Sequence, residues 1–385
     1  MKKTVRNISP AILFLVLALL APLSSCRKTA GSAKNFDKEI YSPRYASGFR
    51  ILGAEGRESV IIESMEPWQG ADSVVTRLFI SRGGEPAPEG FEGRVLVDSA
   101  MRIVTMSSTH IAMLDAIGCV DRVVGVSGMD YISNPKIRAA ASRIADVGYE
   151  GNVNYEALVA LDPDIVLLYG TNGASPMESK LDELGIPYVY IGDYLEEDPV
   201  GKAEWLVAIA EIAGRRDAGL NAFNPIPERY EALRRKVADA GLPAPKVMLN
   251  SPYGDTWFMA STGSYVARLI RDAGGEYIYK VNSANASLPV DMEQAYMLAS
   301  SSDKWINIGK FFSLDEVRKA LPRFTDTAPV VNGEVYADNA RVNASGGNDY
   351  WESGVVHPDL VLRDFVKMFH PELVDDDFVY YRKLQ

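Results

Sequence analysis

The chain has 385 residues, 47% hydrophobic and 24% charged, ordinary globular proportions that exclude a collagenous, coiled-coil or wholly disordered polypeptide. Its net charge of −11 leaves no basic footprint for nucleic acid and disfavours an anionic membrane surface unless the chain is covalently anchored. The length predicts two compact units rather than one.

An anchor is legible at the N-terminus. Lys2, Lys3 and Arg6 form a basic start, and an apolar run of eleven residues follows, Ala11 to Ala21. A membrane-spanning helix needs about 20 apolar residues, so this run has the length of a signal h-region. It ends in Leu23-Ser24-Ser25-Cys26, which resembles a bacterial lipobox. The expectation is a signal peptide over residues 1–25 and a diacylated Cys26, anchored on the periplasmic side of a bacterial membrane. Cys119, the other cysteine, is then left without a disulfide partner and is expected to be a buried thiol.

Residues 26–93 are expected to be a polar tether followed by a small β-rich extension that packs on the next unit. Val60-Ile61-Ile62 and Val74 to Ser81 have strand composition, and Gly83-Gly84, Pro86, Pro88 and Gly90 break the chain after them.

From Arg94 the pattern alternates. Strands are predicted at Arg102–Met106, Val123–Val126, Ile165–Tyr169 and Tyr188–Ile191. Helices are predicted at His110–Ile117, capped from Ser107-Ser108-Thr109, at Glu156–Leu161 and at Leu181–Leu184. Strands separated by helices imply a mainly parallel sheet covered on both faces, hence an α/β lobe over 94–200. A weak echo returns over 243–385, with a strand at Lys246–Asn250, a helix at Tyr265–Ala273, a helix opened by Glu293 and a strand at Trp305–Ile308. Between the lobes, residues 201–242 form a helical linker. Trp205, Leu206, Ile209, Ile212 and Ala213 supply an apolar stripe, and Tyr230, Leu233 and Val237 continue it. Pro225 and Pro227 lack the helical donor, so the linker is expected to kink, or to restart with Pro227 in its first turn.

Asn152-Val-Asn-Tyr-Glu156-Ala-Leu-Val-Ala-Leu-Asp-Pro-Asp164-Ile-Val-Leu-Leu resembles the signature of ABC-transporter substrate-binding proteins for iron-siderophores, haem and cobalamin. Arg122-Val-Val-Gly-Val126 fits the strand before it, and His357-Pro-Asp-Leu-Val-Leu362 and His370-Pro-Glu-Leu373 are similar to the family's C-terminal helix. The resemblance spans about 94–375, and the extension resembles one carried by Bacteroidetes members. It implies two α/β lobes with a ligand cleft between them, joined by a helix. Ligands of open α/β sheets sit beyond the carboxyl ends of strands, which makes the loops Ser107–His110, Tyr169–Asn172 and Pro252–Trp257 candidates. Ser108, Thr109, His110, Tyr131 and Tyr169 are expected to face ligand from the first lobe, and Tyr253 and Trp257 from the second. By family position, the resemblance implies that Tyr149 and Trp351 face the cleft as well. Aromatic walls suit planar chelates. The resemblance also implies that Glu156 and Glu293, one per lobe, meet arginines of the permease. Each also begins a helix, where a carboxylate favours the positive end of the dipole without any partner.

The implied protein is a monomeric importer component that captures an iron chelate, haem or corrinoid, carries no cofactor of its own and does no covalent chemistry. A zinc- or manganese-binding relative would need about four His, Asp or Glu ligands, and only His110, His357 and His370 supply imidazoles. An accessory lipoprotein passing ligand from an outer-membrane receptor is the other alternative. For an enzyme, neither a Gly-x-Ser-x-Gly nor a phosphate-binding glycine loop is present.

Overall fold

A computed structural model of the chain describes residues 36–282 and 286–385. The expected signal segment, Cys26 and most of the expected tether lie outside the described residues. Among the described residues no helix is long and apolar enough to cross a membrane.

The extension is a five-stranded sheet of Lys38–Tyr41, Phe49–Gly53, Val60–Met65, Val75–Ser81 and Arg94–Val97, in that order. Its strands pair antiparallel except the last two, which run parallel. Val60–Met65 is buried almost throughout. On one side Ile61 joins Phe36, Leu52 and Phe79 in a small separate core, while Ile62 joins the main core. Glu63 is tolerated there because Arg50 and Arg77 each donate to it, at 2.6 and 2.7 Å.

Two buried carboxylates fasten the extension to the next unit. Glu204, fully buried on the helix Pro199–Ile212, accepts the backbone N–H groups of Arg44, Tyr45 and Ala46 at 2.8–2.9 Å and the Tyr41 hydroxyl at 2.7 Å. Glu196 accepts the N–H groups of Ser47 and Gly48, each at 2.9 Å, and the Trp205 indole N–H at 2.9 Å. A Cβ at Gly201 would lie 2.6 Å from the Tyr45 carbonyl oxygen, so only glycine lets the segment approach this closely.

The first lobe is a parallel sheet in the order Tyr188–Tyr190, Ile165–Leu168, Ile103–Thr105, Val123–Val126, Ala145–Asp146. The second is built on Glu276–Tyr277, Lys246–Leu249 and Lys304–Ile306, also parallel, with an antiparallel ribbon of Trp257–Met259 and Leu288–Val290 beside it. The echo seen in sequence is a shared device. In the first lobe the Asp164 N–H donates to the Arg102 carbonyl at 2.9 Å, and its carboxylate accepts the Arg102 N–H at 2.8 Å. In the second the Asp303 N–H donates to the Lys246 carbonyl at 2.8 Å, and its carboxylate accepts the Lys246 N–H at 2.7 Å. Each aspartate ties the amino ends of two neighbouring strands together.

The connecting sequence departs from expectation in one respect and meets it in another. Pro199–Ile212 is buried all round, including Trp205, Leu206 and Ile209. It is a core helix between the extension and the lobes, not a striped linker. The crossing is made by Arg216–Phe223 and Pro225–Ala240. Asn224 between them keeps helical dihedrals, φ −52° and ψ −33°, and its N–H donates to the Leu220 carbonyl at 2.9 Å. Helical dihedrals therefore hold at the junction, and a new helix starts at Pro225 with Pro227 also in its first turn, as expected, because a proline in the first turn loses a donor that had no partner anyway. Arg229 on this helix meets Asp359 of the second lobe at 2.5 Å.

Candidate ligand-binding cleft

The carboxyl ends of the first-lobe strands present their loops in sheet order. These are Gly192–Leu195, Tyr169–Asn172, Ser107–Thr109, Ser127–Tyr131 and Tyr149. The second lobe faces this edge with Tyr265, Tyr350 and Trp351. Between them lies a largely apolar cavity of about 300 Å³ lined by Thr109, Tyr194, Tyr265, Tyr350 and Trp351 among others, at the lower end of the volumes typical of ligand pockets. Trp351 is half exposed, with its ring edge-on to Tyr350 at 4.7 Å.

Two charged groups sit in this otherwise apolar wall. Asp193 is 2% exposed. One carboxylate oxygen accepts the Thr109 hydroxyl at 3.3 Å, and the other has no donor. Burial pushes its pKa up to about 6, with Lys202 acting against the rise. The Lys202 ammonium donates to the Asp193 carbonyl at 3.0 Å and lies over the Tyr265 ring at 4.6 Å. Burial lowers its pKa.

The sequence-expected residues divide. Thr109 and Trp351 line the cavity. Ser108 opens the helix Ser108–Ala116, capped by the Ser107 hydroxyl. Tyr131 and Tyr149 stand exposed on the rim with ring centroids 6.4 Å apart. Tyr169 is half-buried in the neighbouring loop, and Tyr253 is an exposed rim residue of the second lobe. Two expectations are corrected. His110 is fully buried, with a pKa pushed down to about 3 by burial, so it is a neutral core residue. Trp257 is also fully buried, its ring 5.3 Å from Phe324 and 5.5 Å from Trp305 and its indole N–H bonded to the Leu249 carbonyl. It packs the second lobe and does not face the cleft. Asp193, Tyr194, Lys202, Tyr265 and Tyr350 were not anticipated. The first two follow the predicted strand Tyr188–Ile191, so the carboxyl-end rule would have found them.

Glu156 and Glu293 are exposed, and the echo holds at their positions. Each is the second residue of its helix, Tyr155–Ala160 capped by Asn154 and Met292–Ser300 capped by Asp291. Both helices run toward the amino end of a parallel strand, which places both glutamates on the cleft side of their lobes.

At one end of the cleft the lobes touch. Glu352, 1% exposed, accepts the N–H groups of Ser133 and Asn134 from the first lobe at 2.7 and 2.8 Å. Asn343 donates to the Ile132 carbonyl at 2.9 Å, and a Cβ at Gly347 would lie 2.5 Å from the Tyr131 carbonyl oxygen. Burial, with Asp349 and Asp115 adding repulsion, raises the Glu352 pKa to about 7. A raised carboxyl pKa contributes stability that is complete below the ordinary value and lost as pH rises through about 7. Stability is therefore expected to fall by on the order of 2–3 kcal/mol more in the wild type than in Glu352→Gln between pH 5 and pH 8. Denaturant midpoints across that range check this, and parallel pH profiles would remove Glu352 as the cause.

The comparisons with known proteins fit this geometry. A family model described as periplasmic binding protein matches residues 103–342. Over 366 residues the chain is 26% identical to an uncharacterized lipoprotein of Methanocaldococcus jannaschii, covering 89% of this chain and 84% of that one. Over 207 residues it is 24% identical to a vitamin B12-binding protein of Vibrio vulnificus, covering 51% of this chain and 67% of that one. Among solved structures, a periplasmic heme binding protein from Pseudomonas aeruginosa shares the fold with a TM-score of 0.58 at 18% identity, covering 74% of this chain and 98% of that one.

Proposed function

The chain belongs to the periplasmic binding protein family, a family of binding proteins and not enzymes, and on that premise we propose that it is the lipid-anchored receptor of an ABC importer. It captures a metal chelate, either an iron-siderophore, haem or a corrinoid, in the interlobe cleft and delivers it to a permease. Cys26 carries the anchor, and the permease's ATPase supplies the free energy. The observation that carries this reading is the cavity walled from both lobes by Thr109, Tyr194, Tyr265 and Trp351. A planar chelate fits such aromatic walls, and a site between two lobes is covered from both sides. The match to a lipoprotein along most of the chain supports the anchor.

Quenching of intrinsic fluorescence on titration with cobalamin, haem and ferric siderophores tests the reading. One of these chelates is expected to saturate the protein. Trp351→Ala should weaken that binding by about 1 kcal/mol, the size of one aromatic contact, and leave the melting temperature nearly unchanged because the ring is half exposed. Unchanged affinity with a large loss of stability would make Trp351 a packing residue and sink its part in the site.

A further inference from the structure

The extension reaches the cleft. Its loop after Val60–Met65 lies against the first lobe's ligand-side loops: the Gln69 N–H donates to the Thr171 carbonyl at 3.1 Å, and Trp68 packs edge-on to Tyr190 at 5.3 Å. Tyr194 bonds from the other side to the Gly170 carbonyl. The result is a groove of about 470 Å³ with walls from three parts of the molecule: Trp68 and Asp72 of the extension, Tyr194 and Glu197 of the first lobe, and Ser264 and Tyr265 of the second. Tyr194 and Tyr265 also line the interlobe cavity, so groove and cavity adjoin across these two rings.

The chemistry of this composite space is one-sided. The groove is lined by Glu66, Asp72, Glu196 and Glu197 and, among the described residues, by no lysine, arginine or histidine. Glu196 is saturated by its backbone donors, while Glu66, Asp72 and Glu197 are exposed. Behind them, in the cavity wall, buried Asp193 keeps one carboxylate oxygen without a donor. Lys202, the basic group among the described residues lining the cavity, is turned to the Asp193 carbonyl and the Tyr265 ring. The charged side chains of the groove are thus all acidic, and a ligand carboxylate placed there would meet like charge at close range.

We infer that the extension forms a third wall of the ligand site, and that this wall receives an uncharged or cationic arm of the chelate bearing N–H donors, such as an amide or ammonium group, while rejecting carboxylate-bearing arms. The inference rests on the cleft-binding reading above and adds the chemical class of the ligand to it.

Calorimetric titration of the full chain tests it with three probes. Dicyanocobinamide carries amide arms, ferrioxamine B ends in an ammonium, and haemin carries two carboxylates. At least one donor-bearing probe is expected to bind ten-fold or more tighter than haemin. Asp72→Lys combined with Glu197→Lys, both exposed and so expected to fold, should weaken that probe five-fold or more and narrow its advantage over haemin. Asp193→Asn, which replaces an open acceptor with a donor, should weaken it about ten-fold. Trp351→Ala, on the opposite wall, serves as the test of the cleft itself. If haemin binds best, or if Trp351→Ala weakens binding while the lysine pair leaves it unchanged, the third wall is overturned and the cleft reading survives. If none of the three probes binds, the third wall is overturned, and the cleft reading is decided by the wider titration with cobalamin and other ferric siderophores.

Discussion

Glu204→Ala is expected to destabilise the protein by about 3 kcal/mol or more and to release the segment around Tyr41–Gly48. The wild-type carboxylate satisfies three backbone N–H groups and one hydroxyl, all drawn toward a fully buried position. Alanine leaves those donors without partners, and each orphaned buried donor costs about 1–3 kcal/mol. A void the size of the lost side chain adds to this. Glu204→Gln should fall in between, because the amide keeps one acceptor oxygen and turns an NH₂ group toward donors. Denaturant melts give the energy, and limited proteolysis gives the location. New cleavage in the extension with the lobes still intact is the expected pattern. A melt within 1 kcal/mol of wild type would mean that water or a neighbouring side chain takes over the carboxylate's role.

Glu156→Ala combined with Glu293→Ala is expected to abolish uptake in cells while leaving chelate affinity nearly intact. The two glutamates occupy the same second position of matching helices on separate lobes, exposed on the cleft side. A pair of charges fixed on two lobes can read whether the lobes hold the right relative position, and permease arginines would supply the complementary charge-assisted bonds. Reversal to arginine should be worse than alanine, since it sets like charges face to face. If the carboxylates serve only their helix dipoles, the outcome differs: a loss of about 0.3–1 kcal/mol of stability per site and normal transport. Uptake by the double variant is therefore the deciding assay.

The scaffold was legible in the sequence because buried parallel strands are short continuous apolar runs between helix signals. Val123–Val126 is observed as expected, and Lys246 and Tyr188 begin strands where the runs begin. The cleft was legible only in part. His110 follows Thr109 by one residue, yet one helical step turns a side chain by about 100°, enough to carry the imidazole from the cleft into the core. Trp257 lies after a predicted strand, as cleft residues do, but it belongs to a ribbon whose inner face packs on Trp305 and Phe324. Which face of a two-residue-period element turns inward is decided by its partner strand, Leu288–Val290, more than twenty-five residues away. The fastening of the extension had a local sign that composition alone hides: Glu204 is an acid set between Ala203 and Trp205 in a largely apolar helix, and a buried charge implies a partner.

The paired aspartates carry one more consequence. Asp164 belongs to the stretch by which the sequence is matched to its relatives, and its work is to clip two strands together at their amino ends, as Asp303 does in the other lobe. Those ends face away from the edge that carries the candidate cleft. A motif anchored on such a clip is inherited with the architecture and is indifferent to cargo. The opposite edge can vary without disturbing the clip, so a lineage that shares it can hold different cargo. Sorting that lineage by cargo then means comparing positions equivalent to Asp193, Tyr194 and Trp351, together with any segment grafted beside them, and setting the shared signature aside.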